Sequence, residues 1–122
     1  MTDPNDPAAF RADLRAWLDE HDLTPAPGDD SLEAHQEQHR RVLRALYDAG
    51  WMRYGWPESA GGLGGPDLLR AIVGEEVVGR GLDHPGPYSM LDVLTPTMID
   101  FARPELAAEM VPRLLSGEET WC

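Results

Sequence analysis

Residues 31–50 read SLEAHQEQHRRVLRALYDAG, and the reading of this stretch decides the fold. Asp30 and Ser31 are both good N-caps, and Glu33 sits where a helix N-terminus favours an anion. Leu32, Val42, Leu43, Leu46 and Tyr47 form the expected apolar face, and Gly50 is a natural left-handed stop. An amphipathic helix of this kind cannot stand alone. It needs other helices to cover its apolar face, and the flanking sequence supplies them.

Upstream, Thr24 to Asp30 is a proline- and glycine-bearing loop. Before it, Asp6 and Pro7 mark a helix start, and Phe10, Leu14, Trp17 and Leu18 recur at helical spacing until the pattern ends near Leu23. Downstream, the aromatic stretch Trp51 to Pro57 leads into Gly61-Gly62-Leu63-Gly64-Gly65. Pro66 and Asp67 open a third helix, with Leu69, Ile72, Val73 and Val77 on one face and Gly81 at its end. A fourth apolar run, from Tyr88 through Met90, Leu91, Val93 and Leu94 to Met98, Ile99 and Phe101, predicts a long buried helix that kinks or restarts at Pro96. Arg103-Pro104-Glu105 starts a fifth, with Leu106, Met110, Leu114 and Leu115 apolar. Pro112 should kink or shorten it, and Ser116-Gly117 breaks it. The expected fold class is all-α, a bundle of about five helices over residues 1–117. Thr120, Trp121 and Cys122 favour strand and predict that residues 118–122 begin a further, β-type domain.

Composition excludes several functions. The net charge is −12, and all ten cations are arginine. That balance argues against nucleic acid or an anionic membrane as partner. The absence of lysine removes Schiff-base chemistry and a phosphate-loop lysine. No apolar run approaches the roughly 18–20 residues of a membrane span. The acidic start Met1-Thr2-Asp3-Pro4 does not resemble an export leader, and the single cysteine, Cys122, closes no intrachain disulfide. A reduced cytoplasmic compartment is the expectation.

Each candidate site has a plainer reading beside it. His35 and His39 are four apart, as a metal pair requires, but no third ligand lies nearby, and a solvated polar face accounts for them better. The glycine cluster precedes a helix N-terminus, where amides can cradle phosphate. It lacks the dinucleotide fingerprint, so a close-packed chain reversal fits better. Glu75 and Glu76 point about 100° apart and cannot form a facing acid–base pair. Glu75 should be solvated, and Glu76 part-buried against an arginine or backbone amides. Tyr88, Asp92 and Thr95 lie near one side of the fourth helix, where they either bond within the core or line a pocket. Cys122 has no paired histidine at a recognisable spacing. Local chemistry therefore predicts no catalytic constellation and no metal site.

Several stretches, in order, resemble the N-terminal domain of the acyl-CoA dehydrogenases: Gly50-Trp51-Met52, Trp56-Pro57-Glu58, Gly61 to Gly65, Glu75-Glu76, Leu94-Thr95-Pro96-Thr97-Met98, Phe101 to Leu106, Val111 to Glu118, and Thr120-Trp121-Cys122. The resemblance implies an FAD-dependent oxidoreductase that introduces an α,β double bond into an acyl-CoA. It implies an electron-transfer flavoprotein as electron acceptor and a homo-oligomeric assembly. It also implies that the catalytic glutamate and most flavin contacts lie in later domains, so that these 122 residues form a truncated, inactive fragment. The family's acyl pocket is partly walled by the helix before the Thr-Pro-Thr segment, which points to Tyr88, Leu91, Asp92 and Thr95 as substrate-binding residues. Asp92 departs from the apolar residues usual there. Either it faces away, or the substrate tail carries a polar group. Two other readings remain: a flavin oxidase or monooxygenase on the same fold, and a stand-alone acidic helical module that binds a partner protein.

Overall fold

The computed structural model describes residues 5–28, 30–83 and 85–118, with the side chains of residues 85–90 and 92 excepted. Five helices follow one another: α1 (Pro7–Glu20), α2 (Leu32–Asp48), α3 (Leu68–Gly79), α4 (Pro85–Phe101) and α5 (Pro104–Leu115). Two 3-10 turns, Trp51–Arg53 and Glu58–Ala60, occupy the connection between α2 and α3. The all-α expectation holds, since among the described residues β structure is confined to a single parallel bridge between Tyr54 and Gly64. The expected strand start at Thr120, Trp121 and Cys122 lies outside the described residues.

Local chemistry explains the helix ends. The Asp6 carboxylate accepts the Ala9 amide at 3.1 Å, and Ser31 Oγ accepts that of Ala34 at 3.1 Å, so each cap satisfies an otherwise orphaned donor. Gly50 leaves α2 with φ of +95°, a left-handed value that a side chain would strain.

The core begins with Phe10 and Leu14 of α1, both fully buried, and is closed by Val42, Leu43 and Leu46 of α2, Leu69, Ile72, Val73 and Val77 of α3, and Val111, Leu114 and Leu115 of α5. Phe10 meets Trp51 and Tyr54 edge-to-face, with ring centroids 5.4 and 5.2 Å apart. Each such pair adds about 0.5–1.5 kcal/mol beyond burial. α4 packs on α5 and α3.

The structure corrects three expectations. Leu32 is 69% exposed, because the covered stripe of α2 starts a helical turn or more later, with His39, Val42, Leu43 and Leu46. α4 runs unbroken through Pro96, which excludes a restart there, and its described side chains are not all buried. Val93 and Phe101 are 62% and 85% exposed, each two residues (about 200°) from a buried or half-buried neighbour. α5 runs three residues past Pro112 to Leu115 and ends at Ser116, where the break was expected. Proline removes one amide donor there but fits the groove beside the second 3-10 turn, where its Cγ lies 3.1 Å from where a Cβ on Gly61 would be. Leu106 is 45% exposed on the outer side of the same helix.

Candidate functional site

Of the four residues expected to wall a pocket, Leu91 and Thr95 sit one turn apart on the buried side of α4, at 9% and 0% exposure. Tyr88 and Asp92 are on the same helix, but their side chains lie outside the described residues. The geometry around Thr95 is unusual. A threonine in a helix commonly satisfies its hydroxyl on the carbonyl four residues back, as Thr97 does by donating to the Val93 carbonyl at 2.7 Å. Thr95 Oγ1 is buried and has no hydrogen-bond partner among the described residues. An unsatisfied buried hydroxyl costs about 1–3 kcal/mol.

The other candidates resolve into structural roles. Glu76 Oε1 accepts from Arg11 Nη1 at 2.8 Å and from Arg15 Nε at 2.7 Å, tying α3 to α1. Burial alone would push this carboxyl up. The hydrogen bonds and attraction of the two guanidiniums outweigh burial and hold it below its ordinary value of 4.5. A general base at neutral pH needs the opposite shift. Glu75, 65% exposed, meets Arg11 Nη2 at 2.9 Å.

The glycine turn is a chain reversal, as expected. The amides of Gly61, Gly62, Leu63 and Gly64 donate to the carbonyls of Glu58, Pro57, Arg53 and Trp56 respectively, so these four are not available to a phosphate. At Gly62 a Cβ would lie 2.1 Å from the Trp56 carbonyl oxygen, which explains why only glycine fits. Arg70 lies over the Trp56 ring, 3.8 Å from its centroid, and closes the outside of this turn.

The two histidines differ from one another. His35 is part-exposed and meets Asp30 at 2.8 Å. His39 departs from the expected solvated face. It is 8% exposed, and its Nδ1 is 2.6 Å from Asp83 Oδ2. Beside it, Gln38 Nε2 donates both to the Leu23 carbonyl at 2.6 Å and to the Leu82 carbonyl at 3.0 Å. Sequence reasoning missed this group, because the partners are 44 residues apart and no periodicity links them. Among the described residues no cluster of three or more metal-ligating side chains occurs. A cleft of about 650 Å³ opens beside this group, between Pro25, Ala34, Arg41 and Gly81. No helix of the described residues is long and apolar enough to cross a membrane.

The family model for the acyl-CoA dehydrogenase N-terminal domain matches residues 4–118. Among curated proteins, the chain is similar to acyl-CoA dehydrogenase IpdE1 of Mycobacterium tuberculosis, at 29% identity over 93% of this chain and 31% of the relative. It is similar to the protein of the same name from Mycolicibacterium smegmatis, at 28% identity over 93% of this chain and 30% of that relative. The chain thus spans about a third of the length of these relatives. No solved structure matches it significantly.

Proposed function

Because the chain belongs to the acyl-CoA dehydrogenase N-terminal domain family, we propose that it is the helical shell of an FAD-dependent oxidoreductase and that α4 supplies one wall of the acyl pocket. The observation that carries this reading is Thr95. A buried hydroxyl left without a partner, unlike that of its neighbour Thr97, is not explained by packing alone and supports a functional role for this part of α4. Leu91 supplies apolar surface one turn away.

The glycine turn commits the amides of residues 61–64 internally, and Arg11 and Arg15 are committed to Glu75 and Glu76, so neither group is free to hold a flavin phosphate. In this reading the flavin, the catalytic base and the CoA phosphates are held by other parts of a longer protein. Residues 1–117 form the helical domain, and residues 118–122 open the next. The electron acceptor is an electron-transfer flavoprotein, the compartment cytoplasmic, and the assembly homo-oligomeric.

Two measurements test the proposal. The purified 122-residue chain should show no visible flavin absorbance and no turnover with any acyl-CoA, and either signal would overturn it. In the full-length protein, Thr95→Val should change kcat/KM unequally across a panel of acyl-CoA thioesters. An equal effect on every thioester would remove Thr95 from the pocket wall.

A further inference from the structure

One turn of α2 grips both loops that flank its N-terminal half. Gln38 bridges the Leu23 and Leu82 carbonyls with a single amide nitrogen. His39 holds Asp83, and both side chains are nearly buried, at 10% and 2% exposure. Arg41 donates to the Asp22 carbonyl at 2.8 Å and to the Thr24 carbonyl at 3.1 Å. On the other side of the grip, Leu82 is tied back to α3 through its amide and the Val77 carbonyl at 3.1 Å. Leu82 and Asp83 are therefore fixed from two directions, and α4 starts two residues later at Pro85.

This arrangement sets where α4 enters the bundle. The helix is constrained by its packing on α5 and α3. The anchor at residues 82–83 adds a constraint just before its start. A helix is stiff along its axis, so a displacement at its start is transmitted to residues a few turns on. Leu91 and Thr95 lie six and ten residues into α4, about 9 and 15 Å along its axis. Carboxylate partners also fix a histidine's tautomer, and here Nδ1 carries the proton donated to Asp83.

We propose that Gln38 and His39 are positioning residues for the acyl pocket. By anchoring Leu82 and Asp83 they set the depth and register of the wall formed by Leu91 and Thr95, and so the acyl-chain selectivity. This rests on the reading of α4 as a pocket wall, and neither residue contacts substrate in it.

The test uses the full-length protein with His39→Leu, His39→Asn and Gln38→Leu. Asparagine can place an N–H near the position of Nδ1 and serves as the conservative rescue. Hydrogen exchange should show α4 amides exchanging faster by on the order of tenfold in the two leucine variants, with α1 and α3 unchanged and protection restored in His39→Asn. KM for long acyl-CoA thioesters should rise severalfold while kcat for the shortest stays the same. Uniform loosening of every helix, or unchanged protection in α4, would overturn the anchoring role. Loosened α4 with unaltered chain-length selectivity would overturn the link to the pocket. A wild-type protein that turns over no acyl-CoA would sink the underlying reading instead, whatever the exchange data showed.

Discussion

Replacing Glu76 by glutamine removes one charge from the contact that joins the first and third helices. The side chain is 10% exposed, and one of its oxygens accepts from two guanidiniums at 2.7 and 2.8 Å. Hydrogen bonds to charged groups contribute about 1.5–3 kcal/mol each. The full sum is not lost, because Arg11 and Arg15 are 30% and 57% exposed and regain water, and because the amide oxygen of glutamine still accepts. A loss of about 1–2 kcal/mol is expected at pH 7, against a total of roughly 5–15 kcal/mol. Urea unfolding should show this as a lower midpoint with an unchanged slope. The pH dependence carries the sign. The folded carboxyl is held below its ordinary 4.5, so its contribution is fully present above that value and disappears as pH falls through the folded pKa. Wild type and Glu76→Gln should therefore differ at pH 7 and converge in strong acid. Glu75→Gln, altering a 65% exposed group, should cost less than about 0.5 kcal/mol. Equal gaps at pH 7 and pH 3, or a larger effect at Glu75, would refute the assignment of the inter-helix contact to Glu76.

Four further outcomes can be checked by thermal or urea unfolding. Gly62→Ala should destabilise by about 1–3 kcal/mol, since its Cβ meets the Trp56 carbonyl oxygen at 2.1 Å and the backbone must move. Gly74→Ala, in the interior of α3 with nothing within 4 Å of the added methyl, should stabilise by about 0.5–1 kcal/mol. Thr95→Val keeps the shape and removes the unpartnered hydroxyl, so the ligand-free domain should gain about 1–2 kcal/mol even as substrate selectivity changes. Loss of stability there would mean that the hydroxyl is satisfied in solution. Phe10→Ala removes a fully buried ring and both of its edge-to-face contacts, for a loss of about 3–5 kcal/mol.

Helix placement was legible in the sequence wherever the signal is local. Asp6 and Ser31 cap the helices they were expected to cap, and Gly50 and Gly81 adopt the left-handed conformation that a stop requires. Glu76 was legible too, because a carboxylate in an apolar helix face has few ways to be satisfied. Exposure was less so. Periodicity identifies a stripe but does not say how far a neighbour extends along it, and Leu32 and Phe101 lie beyond that reach. His39 escaped for a related reason, since its burial depends on Asp83, which only the turn after α3 brings near. At the candidate pocket, spacing grouped Thr95 with Tyr88 and Asp92, and Leu91 was added only by the family resemblance. The missing partner of Thr95 is a property of three-dimensional packing that no spacing rule contains.

The turn built from residues 53–64 bears on the order of folding. Its hydrogen bonds join residues no more than about ten positions apart, and α2 packs directly against its first 3-10 turn. Closing such short loops loses little chain entropy, whereas the Arg11–Glu76 contact must span 65 residues. Residues 32–64 are thus placed to form the nucleus, with α1 docking afterwards. On that order, a substitution at Gly62 acts chiefly by slowing folding, and one at Glu76 chiefly by hastening unfolding, although both lower the same equilibrium stability.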